Sequence, residues 1–150
     1  MKLNIASGLL KRSLLVMALG LGAPLTAAAA EMMVYKSPSC GCCSAWVDHM
    51  KANGFEVKVE NVQDLNAVKQ RHGVTRELAS CHTAVVDGYE IEGHVPAADV
   101  ERLLTEKPAV VGLAVPGMPM GSPGMEGPRS EPYNVISFDK SGNSKIFSRH

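Results

Sequence analysis

Three of the chain's four cysteines fall within four residues, Cys40-Gly41-Cys42-Cys43, and the fourth is Cys81. The clustering bears on their chemistry. A framework of disulfides that staples a small fold spreads its cysteines along the chain, and adjacent Cys42 and Cys43 cannot bridge one another without straining the peptide between them. Thiolate is both the nucleophile of disulfide exchange and a ligand for soft metals. Cys40 and Cys43 have the C-x-x-C spacing of a dithiol oxidoreductase, in which the second thiol stands one helical turn behind the first. Cys42 intrudes between them. An extra thiol beside a dithiol pair invites mispairing in an exchange catalyst, whereas three thiolates pointing into one small volume favour the capture of a thiophilic ion.

Further ligand types lie near these cysteines or in a separate loop. His82 follows Cys81 directly, and His94 ends a later β-prone run. His49 and His72 fall on helix faces and read as solvated. Between Pro116 and Met125 the chain carries Met118, Met120 and Met125 in a Gly/Pro-rich stretch. Thioethers select Cu(I) and are foreign to zinc, although methionines are also common as adaptable packing residues. Four thiolates by themselves suit tetrahedral zinc, an iron–sulfur cluster or Cu(I). No pairing of carboxylates suggests hydrolysis, and no glycine-rich phosphate loop is present.

The elements that position these residues can be read from pattern. Glu31 to Lys36 is apolar-rich and strand-like, and Ser37-Pro38-Ser39 breaks it. A helix from about Cys42 to Asn53 follows, with Trp46, Val47 and Met50 at helical spacing and Gly54 to close it. Phe55 to Glu60 alternates apolar and charged residues as a half-buried strand does. Asp64 can cap a second helix that carries Leu65 and Val68. Thr83–Val86 and Tyr89–His94, joined by Asp87-Gly88, carry a strong hairpin signal. Pro96 sits at the first turn of a helix through about Glu106.

Strand, helix, strand, helix, hairpin, helix, with cysteines in the first strand-to-helix turn, is the α/β order of a thioredoxin-like fold. In that arrangement the turn entering the hairpin faces the helix N-terminus that bears the cysteines, so Cys81 is expected beside the other three. Val115 to Pro132 holds five prolines, four glycines and three methionines, which excludes a regular element. Tyr133–Phe138 and Lys145–Ser148 then read as an appended C-terminal β-hairpin.

The N-terminus carries Lys2, Lys11 and Arg12, an apolar stretch over 13–25, and a small-residue run Ala27–Ala30. This is the pattern of a signal peptide cleaved after Ala30, leaving a single domain over 31–150 in an exported, periplasmic protein. The remaining chain holds 12 basic and 15 acidic residues, a balance that argues against nucleic acid as a partner. No later segment is long and apolar enough to span a membrane.

Four stretches resemble the CopG-like family of small exported metal-binding proteins, which are commonly encoded with copper-resistance systems of Gram-negative bacteria. They are Pro38-Ser-Cys-Gly-Cys-Cys43, Leu78-Ala-Ser-Cys-His-Thr-Ala84, Glu92-Gly-His-Val-Pro96 and the methionine loop from Ala114 to Glu126. They occur in order and cover nearly all of residues 31–150. The resemblance implies a thioredoxin-like fold and copper held by Cys40, Cys42, Cys43 and Cys81, in a thiolate-bridged site of one or more ions. It also implies support from His82, His94, Met118 and Met125; the position of Met120 accepts other apolar residues. Copper resistance, with the ion cycling between Cu(I) and Cu(II) or passing to periplasmic copper-handling or efflux proteins, is the expected role. A periplasmic thiol–disulfide oxidoreductase using Cys40 and Cys43 is the alternative.

Overall fold

Alternation along the strands assigns each side chain to one of two sheet faces, and the helices follow from that assignment. The computed structural model describes residues 29–150, so the signal sequence expected over 1–30 lies outside the described residues but for its last two alanines. The elements run β1 (Glu31–Lys36), α1 (Gly41–Ala52), β2 (Glu56–Asn61), α2 (Leu65–Arg71), β3 (Thr83–Val86), β4 (Tyr89–Glu92), α3 (Ala97–Glu106), β5 (Gly112–Ala114), β6 (Asn134–Phe138) and β7 (Ser144–Arg149). Among the described residues, the seven strands form one mixed sheet in the order β2-β1-β3-β4-β5-β6-β7, with three helices. The pairs β1–β2 and β4–β5 are parallel and the others antiparallel.

Met32, Val34, Ala84, Val86 and Ile91 pack with Trp46, Val47 and Met50 of α1 and with Val100 and Leu103 of α3. Each large side chain so buried contributes about 1.5–3 kcal/mol. Tyr35, Thr83 and Glu92 point to the other face, toward α2, where Tyr35 meets His72 and Lys69 reaches Thr83 and Glu92. That opposite face is partly polar, with Lys69, Thr83 and Glu92 all buried in it.

Several local signals act where expected. The Asp64 side chain caps α2 by accepting the Ala67 N–H at 3.0 Å, and Asp87-Gly88 turns the hairpin with φ of 47° and 80°. Two elements differ from the sequence pattern. The strand around Val57 and Val59 is the sheet edge, so it has a neighbour on one side only, and Val59 is left exposed. Its charged residues Glu56, Lys58 and Glu60 keep that edge soluble. The short β5 lacks any periodicity to betray it, and through it β6 and β7 continue the main sheet.

His49 and His72 are corrections to the solvated reading. His49 is half-buried, and its Nε2 accepts the Ala97 N–H at 3.1 Å, capping α3 where Pro96 has no side chain to do so. His72 Nδ1 lies 3.0 Å from the Glu90 carboxylate. Both contacts join elements distant in sequence, which helical spacing cannot report. Among the described residues no helix is long and apolar enough to cross a membrane.

Candidate metal centre

The turn Ser37–Cys40 delivers the cysteines to the start of α1. The Cys40 N–H donates to the Ser37 carbonyl at 3.2 Å, and Cys40 then serves as the N-cap, its Sγ accepting the Cys43 N–H at 3.3 Å. One helical turn separates Cys40 from Cys43, and the two are joined by a disulfide. Cys42 and Cys81 are free thiols. Cys42 Sγ lies 3.4 Å from Cys40 Sγ, and Cys43 Sγ lies 3.7 Å from the Cys81 carbonyl. All four sulfurs stand within 4.8 Å of one another. A tetrahedral thiolate site with metal–sulfur bonds of ~2.3 Å spaces its sulfurs by roughly 3.8 Å, the same scale.

Cys81 also belongs to a second group. Its Sγ is 2.8 Å from His94 Nε2 and 3.4 Å from His82 Nδ1, and ligand atoms of the three residues fall within 4.8 Å of one another. Both imidazoles are buried. The His82 ring packs on Trp46 at 4.4 Å between centroids and edge-on to His94 at 5.1 Å. Its Nε2, the ring nitrogen other than the one facing Cys81, is buried without a hydrogen-bond partner, a state that ordinarily costs about 1–3 kcal/mol.

Burial sets the protonation of this group. It pushes the Cys81 thiol up to about 12, reinforced by the neighbouring Cys42. Burial also holds His82 well below the ordinary histidine value, and the nearby His94, Lys69 and Lys36 act in the same direction. His94 is lowered by burial as well, against the opposing effects of its hydrogen bond to the Pro123 carbonyl and the charge of Glu126. Both rings are therefore neutral at neutral pH, the form that coordinates metal. Cys81 differs from a cysteine at a helix N-terminus: burial keeps it a thiol at neutral pH.

The methionine loop is irregular, as its composition requires, and it is laced to the site. The Gly117 N–H donates to the Ala79 carbonyl at 3.2 Å, Ser80 Oγ donates to the Gly117 carbonyl, and His94 Nδ1 donates to the Pro123 carbonyl at 2.8 Å. Gly124 has φ of +84°, and a Cβ there would sit 2.6 Å from the Cys42 carbonyl, so the loop lies directly on the first turn of α1. Met125, the next residue, is half-buried, whereas Met118 is exposed. Met120 packs its methyl against Gly127, within its own loop. The fold thus brings together the four cysteines and both histidines, sets Met125 beside the residue that touches Cys42, and leaves Met118 facing solvent. Sequence pattern missed Trp46 as a wall of the site and the Pro123 carbonyl as the orienter of His94. The first carried only the signal of a core position, the second none.

Residues 78–125, which hold Cys81, both histidines and the methionine loop, match a family described as protein of unknown function, DUF411. No curated protein matches the chain. Two solved structures described as copper resistance protein copG, forms 2 and 1, superpose with TM-scores of 0.78 and 0.77. Each is 46% identical in sequence, and the match covers 81% of this chain and 98% of theirs. Identity of that level across nearly the whole described region means that the chain belongs to the CopG-like family of copper resistance proteins.

Proposed function

We propose that this protein is exported to the periplasm, where its single thioredoxin-like domain over 31–150 binds copper for copper resistance. Reduced Cys40, Cys42, Cys43 and Cys81 supply bridging and terminal thiolates, and His82 and His94 add imidazoles. Met118 and Met125 offer thioethers from the overlying loop. The single observation that carries this reading is the convergence of four sulfurs within 4.8 Å, with His94 Nε2 2.8 Å from one of them. Soft sulfur favours Cu(I) and imidazole tolerates Cu(II), so the mixed ligand set suits an ion that changes oxidation state. The exposed Met118 suits exchange of copper with a periplasmic or efflux partner.

Anaerobic titration of the reduced protein with Cu(I), with bound metal counted by elemental analysis, tests the proposal. Two or more ions per chain, with fewer in Cys42→Ser and in Cys81→Ser, are expected. Absence of tight binding would end it.

The Cys40–Cys43 disulfide favours a second reading, a thiol–disulfide oxidoreductase. That activity requires Cys40 and Cys43 and is indifferent to Cys42, so Cys42→Ser separates the two. In an insulin-reduction assay Cys42→Ser would retain full turnover under the second reading, while copper stoichiometry falls under the first.

A further inference from the structure

Beneath the candidate centre, on the α2 side of the sheet, lies a buried charge pair that no metal ligand explains. Glu92, fully buried at the end of β4, accepts from Lys69 Nζ at 2.5 Å, from the Ser80 backbone N–H at 2.6 Å and from Thr83 Oγ1 at 2.6 Å. Lys69 Nζ also donates to Thr83 Oγ1 at 3.2 Å. The carboxylate therefore grips both ends of the four-residue segment Ser80-Cys81-His82-Thr83, and the two candidate ligands lie between the grips. Its own backbone carbonyl accepts the Val115 N–H at 2.9 Å, where the methionine loop begins. Gly93 lets these segments converge: with φ of +72° it admits no side chain, and a Cβ there would run into the Ser80 side chain and lie 2.7 Å from the Val115 carbonyl.

We propose that Glu92, neutralised by Lys69, is a positioning residue that fixes Cys81 and His82 in the geometry that copper requires. The inference rests on the copper-binding reading above. Replacing a buried ion pair by apolar residues is often neutral or stabilising, so such a pair need not be present for stability. A carboxylate offers what no neutral side chain of this length does. It presents two acceptor oxygens to three donors and also balances the Lys69 charge, which a glutamine, even with its N–H turned to the Thr83 hydroxyl oxygen, would leave unpaired. Residues behind the ligands of a metal site act by orienting those ligands, and losing them typically lowers metal affinity about 10–100-fold.

The test uses Glu92→Gln and the double substitution Lys69→Met/Glu92→Leu, which removes both charges and so keeps the chain foldable where the single change strands Lys69. In the disulfide form only Cys42 and Cys81 are free, and their alkylation rates are compared by peptide mass mapping. Global loosening raises both rates together. Loss of the grip on the Ser80–Thr83 segment raises the Cys81 rate several-fold relative to Cys42, which is the expected result for both variants. In the reduced protein, Cu(I) affinity falls about tenfold or more, with a shift of the sulfur-to-copper absorption band. An unchanged Cys81 to Cys42 ratio in variants that melt where the parent melts overturns the inference. If the parent itself binds no Cu(I), the copper reading fails, and the alkylation ratio alone still decides what Glu92 does.

Discussion

Cys81 Sγ stands 2.8 Å from His94 Nε2, while the far side of the same ring, Nδ1, donates to the Pro123 carbonyl at 2.8 Å. A carbonyl can only accept, so Nδ1 carries the hydrogen and Nε2 presents its lone pair to the sulfur. Without metal, that lone pair receives the Cys81 S–H, in keeping with a thiol that burial holds protonated. A copper ion that displaced the proton would find sulfur and nitrogen already oriented. Substituting His94→Ala is therefore expected to weaken Cu(I) binding by about tenfold or more, measured by competition with a chromophoric Cu(I) chelator. Affinity equal to the parent's would remove His94 from the ligand set.

Trp46 is the chain's single tryptophan, and its ring lies 4.4 Å from that of His82. Its Nε1 donates to the Val95 carbonyl at 2.9 Å, which holds the indole in place. Copper bound by Cys81, His82 and His94 would sit within quenching distance of this fluorophore. Titration with copper is expected to reduce the emission in step with stoichiometric binding. Emission that stays constant through saturation would place the ion elsewhere.

At Gly124 the left-handed backbone coincides with contact against α1, since a Cβ would approach the Cys42 carbonyl to 2.6 Å and the Trp46 nitrogen to 2.8 Å. Gly124→Ala is expected to lower stability by about 1–3 kcal/mol in urea unfolding and to lift the methionine loop from the cysteines. Gly117→Ala is the control, because it shares the positive φ of +71° but a Cβ there meets nothing within 4 Å. It should lose only about 1 kcal/mol and keep parental copper affinity. Equal losses in both would mean that backbone conformation alone, and not contact with α1, matters at Gly124.

Acid should weaken the fold partly through His49. Burial lowers its pKa below the ordinary value of 6.5, with Glu126 opposing. A group whose folded pKa is depressed makes the unfolded chain bind more protons, so its stabilising effect is present above 6.5 and is lost as pH falls. The proton goes to Nε2, the atom that accepts the Ala97 N–H, and the cap of α3 is lost with it. His82 and His94, also lowered by burial, titrate with the same sign. His49→Gln keeps an acceptor but cannot titrate. Its melting temperature should therefore fall less than the parent's between pH 7 and pH 5, by thermal denaturation of metal-free protein. Parallel curves would exclude His49 as a contributor.

Pattern along the chain determined the helices, the Thr83–Glu92 hairpin, the break at Ser37–Ser39 and the cysteine cluster at the head of α1. These depend on hydrogen bonds and side-chain periodicities that span a few residues. The order of those elements also anticipated Cys81 beside Cys40, Cys42 and Cys43, because a strand-to-helix turn and the entry to the hairpin share one end of the sheet. Other relationships were decided only when separate elements met. The carbonyl of Pro123 selects the His94 tautomer across 29 residues, His49 caps a helix 48 residues away, and Glu92 reaches the Ser80 backbone from the next strand. Carbonyls and backbone N–H groups are the same at every position, so no residue type marks which of them will be met. The edge position of Val59 and the joining of β6 to β5 have the same origin: a strand's pattern records that one face is apolar, but its neighbours are chosen by the packing of the whole sheet.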